Sequence, residues 1–102
     1  MAKNKILVLV PSYNELKTLK RICIFFKNQK IDHLIVDDFS DDGTEHWLKK
    51  NSIRFIKNKE NLGYEKSIIK GIKFIIKKKI KIDFLFSFDA DGQHYLSDLK
   101  KF

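Results

Sequence analysis

With one cysteine, one proline and four glycines among 102 residues, the chain has little from which to build a disulfide scaffold, a proline-rich linker or a glycine-rich loop. Cys23 has no partner for an intramolecular disulfide, which fits a reducing cytoplasm. No apolar run approaches the roughly 20 residues of a membrane span. Ile6 to Val10, flanked by Lys3 and Lys5, is too short for the apolar core of a secretory signal. The first apolar run leads into neither Gly-x-Gly-x-x-Gly nor a P-loop, so the dinucleotide fingerprint and the Walker phosphate cradle are both excluded. Zinc-ligand spacing and the aromatic-basic signature of an RNA-binding sheet are also missing, so no nucleic-acid partner is expected. Acidic residues are in the minority: 13 Asp and Glu against 21 Lys and Arg leave a net charge of +8. Such a balance draws anionic lipid surfaces or phosphorylated substrates, and it also describes a plain solvated lysine-rich surface. The run Lys77-Lys78-Lys79-Ile80-Lys81 ends an expected helix, where cations complement the helix dipole. The same run suits contact with an anionic membrane.

The apolar fraction of 43% suffices for a globular core, and the length suits one small domain. Ile6 to Val10 reads as a buried parallel strand that Pro11 ends. Leu16, Leu19, Ile22, Cys23 and Phe26 recur at helical spacing, predicting a helix over Asn14 to Asn28 with Cys23 in the core. His33 to Val36 predicts a second strand, a short helix holds Trp47 and Leu48, and Ile53 to Lys57 predicts a third strand. Ile68, Ile72, Ile75 and Ile76 predict a helix over about 65–79, and Phe84 to Phe88 a fourth, buried strand. This βαβαβαβ alternation is α/β and implies a mainly parallel, Rossmann-like sheet flanked by helices, in order 3-2-1-4.

Two acidic clusters follow strand-like runs directly: Asp37-Asp38, and Asp89-Ala90-Asp91. The carboxyl ends of parallel strands are where open α/β sheets bind ligands. Two carboxylates at i and i+2, with Gln93 adding a neutral oxygen, suit Mg²⁺ or Mn²⁺ shared with substrate phosphates. A single Asp-Gly turn would need only one aspartate, and His94 stays open between a surface and a functional role. Ser12 and Glu15 have the spacing of a capping box, which would make Glu15 a helix-start residue. Asp41, Asp42 and Thr44 read as ordinary turn and cap residues. An EF-hand is rejected because Lys49 stands where a bidentate glutamate is needed. A nucleotidyltransferase would want a glycine-rich, basic loop after strand one, which Pro11 to Glu15 is not.

Four pieces in order carry a resemblance: Val10-Pro11-Ser12-Tyr13-Asn14-Glu15; Val36-Asp37-Asp38-Phe39-Ser40-Asp41-Asp42-Gly43-Thr44; Asn61-Leu62-Gly63-Tyr64 with Gly71-Ile72; and Asp89-Ala90-Asp91-Gly92-Gln93-His94. Together they resemble the amino-terminal half of a family 2 glycosyltransferase of GT-A fold, similar to the polyprenyl- or dolichyl-phosphate sugar synthases. The resemblance implies a nucleotide pocket lined by Pro11, Tyr13 and Glu15. It places Asp38 on the base, Asp37 in support, and Asp89 at the nucleotide and metal. Asp89 and Asp91 become the DxD element holding a divalent metal, with Gln93 a further ligand. It implies metal-dependent, inverting transfer from a UDP- or GDP-sugar to a polyprenyl-phosphate or saccharide acceptor; composition separately points to a soluble, cytoplasmic chain, with the basic run open to peripheral membrane contact. Glu65 and Lys66 depart from the small residues that often follow the Asn-Leu-Gly segment in the family. No catalytic base can be assigned, so residues 1–102 are expected to form one partial domain, the donor-binding half. Its uncovered sheet edge invites homo-oligomerisation. The alternative is a non-catalytic nucleotide-binding or interaction module that keeps the fold without the activity.

Overall fold

The computed structural model describes residues 4–89. Strand β1 spans Ile6–Ser12, helix α1 Leu16–Asn28, β2 Asp32–Asp37, α2 Thr44–Lys50, β3 Phe55–Lys57, α3 Tyr64–Lys77 and β4 Phe84–Ser87. The four strands form one parallel sheet in the order β3-β2-β1-β4, as the alternation predicts. The strands' two-residue period divides the core between the two faces. Val8, Val10 and Ile35 pack with Leu19, Ile22, Phe26 and Leu48 beneath α1 and α2. Leu7, Leu9, Leu34 and Val36 pack with Ile75 beneath α3. A Cβ on Gly71 would lie 2.5 Å from a Leu9 methyl, so only glycine lets α3 come this close to β1. Cys23 is core as expected, and burial pushes its thiol up to about 12.

Several expectations need correcting. Pro11 does not end β1 but lies inside it, paired with Val36. Proline is rare in a central strand because it cannot donate to the ladder. Leu9 bonds towards β4 through Phe88 N–H, 2.9 Å from its carbonyl, and Pro11 faces the same way. The β1–β4 register stops at Leu9 and Ser87, so no ladder bond awaits the donor that Pro11 lacks. β3 starts at Phe55 rather than Ile53, because Ile53 N–H is taken by Leu48 at the end of α2. α1 starts at Leu16 rather than Asn14, whose φ of 49° is left-handed. β4 is not buried: Phe84, Leu85 and Phe86 are 50%, 37% and 41% exposed. It is an edge strand, and only Phe88, just beyond it, enters the core, edge-on to Phe26 at 5.9 Å.

The three helices end alike. Lys30, Ser52 and Lys79 take φ of 57°, 55° and 54°. Each donates its N–H three residues back, to Lys27, Lys49 and Ile76. The next residue, an isoleucine each time (Ile31, Ile53, Ile80), donates to Phe26, Leu48 and Ile75. This is the Schellman arrangement, built three times without glycine.

Candidate functional site

Both helical faces deliver their loops to the carboxyl end of the sheet. α1 and α2 lie on one face and α3 on the other, so the path switches faces between β1 and β4. A crevice at such a switch point is the usual ligand site of this sheet type. Ser12 closes β1 there, and Asp89 stands two residues beyond the end of β4.

The adjacent acids Asp37 and Asp38 point to opposite faces, and each organises one side. Asp37 is fully buried on the face of α1 and α2, in register with Ser12 on β1. Its Oδ1 accepts from Ser40 N–H at 3.1 Å. Its Oδ2 and the Ser12 Oγ are buried without a hydrogen-bond partner among the described residues. Burial pushes the Asp37 carboxyl above its ordinary value, against the Ser40 bonds and the positive charge of Lys57. The third such orphan, His33 Nε2, lies near the other end of β2.

Asp38, 5% exposed, faces α3. Its Oδ1 accepts from Leu62 N–H at 2.7 Å and Asn58 Nδ2 at 2.9 Å, and its Oδ2 from Gly63 N–H at 2.9 Å. Asn58 also donates to Ser67 Oγ of α3 at 3.0 Å, and Asn61 Nδ2 to the Asp38 carbonyl at 3.3 Å. One carboxylate thus shapes the whole loop before α3, including Gly63 at φ 90°. Tyr64 OH donates to Ser87 Oγ at 3.2 Å, tying the start of α3 to β4.

The loops after β1 and β2 are sewn together. Asn14 N–H donates to Ser40 Oγ at 2.9 Å, and Asp41 N–H to Asn14 Oδ1 at 2.9 Å. The capping box of Ser12 and Glu15 is not formed: Glu15 caps α1 by position only, without a side-chain bond. Ser12 still belongs to the strand, and Asp42 does the capping from the next loop. Its Oδ2 accepts from Leu16 N–H at 3.0 Å, and its Oδ1 from Thr44 N–H at 3.2 Å and Thr44 Oγ1 at 2.5 Å. Burial opposes ionisation of Asp42, but these bonds outweigh it and lower its pKa. Asp42 is more than the turn residue its sequence indicates, since it joins the starts of two helices.

The structure therefore brings Pro11, Tyr13, Glu15, Asp37, Asp38 and Asp89 to one end of the sheet. Pro11 is buried within β1, whereas Tyr13 is 48% exposed. Asp91, Gln93 and His94 lie outside the described residues, and among those described no three His, Cys, Asp or Glu side chains could hold a metal. Sequence reasoning missed Asn58, which links Asp38 to α3; its place just after β3 was the available signal. It also missed the pairing of Asn14 with Ser40, since nothing in either motif names its partner.

These segments and this fold define a class. The chain belongs to glycosyl transferase family 2, whose profile matches residues 7–102. It is 31% identical over 119 residues to a UDP-N-acetylglucosamine–dolichyl-phosphate N-acetylglucosaminyltransferase of Methanococcus voltae, a match covering 99% of this chain and 47% of that protein. An uncharacterised protein of Methanocaldococcus jannaschii is 32% identical over 101 residues, covering 93% of this chain and 44% of the relative. The chain thus spans less than half the length of these curated relatives. Among solved structures, glucosyl-3-phosphoglycerate synthase of Mycobacterium tuberculosis, in complex with Mn²⁺, UDP and glucosyl-3-phosphoglycerate, superposes with a TM-score of 0.68 at 17% identity. That match covers 86% of this chain and 34% of the synthase. TarS of S. aureus matches with a TM-score of 0.65 at 21% identity, over 95% of this chain and 19% of its own. At these identities the likeness is one of fold, that of the GT-A glycosyltransferases.

Proposed function

We propose that residues 1–102 form the donor-binding part of a glycosyltransferase that moves a sugar from a nucleoside-diphosphate sugar to an acceptor with inversion. The observation that carries this reading is the pair of buried oxygens, Asp37 Oδ2 and Ser12 Oγ, that have no partner among the described residues and stand in register at the switch-point end of the sheet. A buried acceptor without a donor is costly, roughly 1–3 kcal/mol, so such a pair marks a place where a ligand's polar edge completes the structure. Asp38 keeps about one acceptor site beyond its three bonds and reads the base from the α3 side. Pro11, Tyr13 and Glu15 line the base and ribose.

Asp89, with Asp91 and Gln93, would hold a Mg²⁺ or Mn²⁺ through the hard oxygen donors such a cation takes. Such a cation would offset the charge that develops on the departing diphosphate. The acceptor oxygen attacks the anomeric carbon from the side opposite the diphosphate, so the new bond forms with inversion as the old C–O bond breaks. The acceptor's proton passes to a base that we assign to no residue of this chain. We place the reaction at the cytoplasmic membrane surface with a polyprenyl phosphate as acceptor. The dolichyl-phosphate acceptor in the Methanococcus voltae relative's name supports this choice over a saccharide. No helix among the described residues is long and apolar enough to cross a membrane.

The test is a titration of the chain with UDP and with GDP, each with and without Mn²⁺, followed by backbone amide shifts. Metal-dependent shifts at Tyr13, Asp38 and Asp91 are the expected result, and the stronger nucleotide names the base. A folded chain whose amides respond to neither nucleotide would overturn the reading.

A further inference from the structure

Among the described residues, five other than glycine have left-handed backbone angles, and four of them have a local reason. Lys30, Ser52 and Lys79 terminate helices in Schellman motifs. Asn14 is of a residue type that tolerates this region, and its side chain accepts from Asp41 N–H. Phe39, at φ 69°, has no such reason. It follows no helix, its aromatic Cβ suffers the full steric penalty, and its ring contributes little to the core because it is 50% exposed. The strain is imposed from both sides. Asp38 is pinned by three donors, and Ser40 is held by Asp37 and Asn14. The result is a half-exposed phenyl ring at the carboxyl end of the sheet, in the loop that directly follows Asp37 and Asp38, held by bonds on both sides of it. Lys57 Nζ lies 5.7 Å from the ring centroid and is itself held by Glu45 at 3.2 Å. Lys57 is also the β3 register partner of Asp37. One face of the ring is thus engaged by a cation, and half of the residue's surface stays exposed.

We infer that Phe39 is a ligand-binding residue of the donor site, its ring backed by Lys57 and serving as a stacking wall for the nucleotide's base. The inference rests on the nucleotide-binding reading above and adds to it an aromatic surface that no motif assigns. Backbone strain retained beside a binding crevice is the expected signature of a residue kept for ligand contact rather than for folding.

The experiment compares the wild-type chain with Phe39→Gly, Phe39→Tyr and Phe39→Leu. UDP and GDP affinities are measured by calorimetry in Mn²⁺, and melting temperatures by circular dichroism. Base–aromatic stacking typically changes affinity by fivefold or more. Phe39→Gly is therefore expected to weaken the preferred nucleotide by at least about fivefold while melting at or above the wild-type temperature. Phe39→Tyr should keep the affinity, and Phe39→Leu, apolar but without a π face, should lose it. Opposite movements of affinity and stability in Phe39→Gly would separate a ligand wall from a folding residue. A wild type that binds while Phe39→Gly binds equally well would overturn the inference and leave the donor site standing. Leucine binding as tightly as phenylalanine would overturn the stacking role in the same way. A folded wild type that binds neither nucleotide would remove the donor-site reading and this inference with it.

Discussion

At the carboxyl end of the sheet the loops bond to one another across more than twenty residues of sequence. Asn14 meets Ser40, Leu16 meets Asp42, and Asp38 meets Leu62 and Gly63. At the amino end each helix bonds only to its own last turn, and three Schellman motifs in isoleucine–carbonyl pairs suffice to stop it. The charges divide likewise. The carboxyl end holds Asp37, Asp38, Asp41 and Asp42. The amino end opens into a cavity of about 1000 Å³ rimmed by Lys5, Lys27, Lys30, Arg54, Lys79 and Lys81. Local bonds can end a helix but cannot fix the distance between two loops. Bonds between loops can, and they appear where side chains from different strands must be held at set separations. The amino end mostly stops and turns, with one long-range tie, Lys5 N–H to Asp83 Oδ2 at 2.6 Å and Asp83 N–H back to the Lys5 carbonyl at 2.7 Å, setting the start of β4 beside β1.

The largest break in this contrast should come from Asp38→Ala. It strands Leu62 N–H, Gly63 N–H and Asn58 Nδ2 together, in partly or wholly buried surroundings. Unsatisfied donors cost about 1–3 kcal/mol each when buried, so a combined loss of about 3 kcal/mol is expected. For a domain of this size that lowers the melting temperature by roughly 15 °C. Amide exchange should speed up over residues 58–63 in particular. Uniform exchange changes across the chain would show that Asp38 does not organise that loop.

Asp42→Ala should cost less, about 1 kcal/mol, the usual worth of a helix cap. Its pH dependence carries the sharper test. The folded pKa of Asp42 lies below its ordinary 3.8, so its contribution is present above that value and is lost as pH falls through the folded pKa. Asp37 has the opposite sign. Its folded pKa is raised by burial, so stability drops as pH rises from 3.8 through the raised value. Urea melts between pH 3 and 7 should show Asp42→Asn flattening the acid limb and Asp37→Asn removing the decline on the other side. Parallel curves for the two variants would contradict the different environments assigned to these acids.

Much of this was legible in the sequence. The alternation of apolar runs gave four parallel strands, and acids at two strand ends put the candidate site at the carboxyl end of the sheet. The missing parts share one cause, dependence on residues far away in the chain. Ser12 and Glu15 match a capping box by spacing, yet the cap comes from Asp42, 26 residues beyond Leu16. The sequence puts Asp37 and Asp38 side by side. Which of them keeps an oxygen without a partner is decided by Asn58, Leu62 and Gly63, more than twenty positions away or nearly so. Phe84 to Phe86 read as a buried strand because their composition is apolar, but burial depends on what lies over the edge, not on the strand itself. The helix ends were hidden for another reason: Lys30, Ser52 and Lys79 stand where glycine is the usual signal.

Those same three residues supply the smallest expected effect and the one that compares the two ends most directly. Relief of left-handed strain in an L-residue is worth roughly 1–2 kcal/mol, and the extra freedom that glycine gives the unfolded chain takes back about 0.4–1 kcal/mol. Lys79→Gly should therefore stabilise the chain by roughly 0.5–1 kcal/mol on balance, a rise of a few degrees in melting temperature. Lys79 stands at the end of the sheet away from the crevice, so UDP and GDP affinities should stay within error of the wild type. Phe39→Gly makes the same backbone change at the other end and should lose the nucleotide. If Lys79→Gly also weakened the nucleotide, left-handed residues at the two ends would not serve separate purposes, and the division between a stopping end and a binding end would fail.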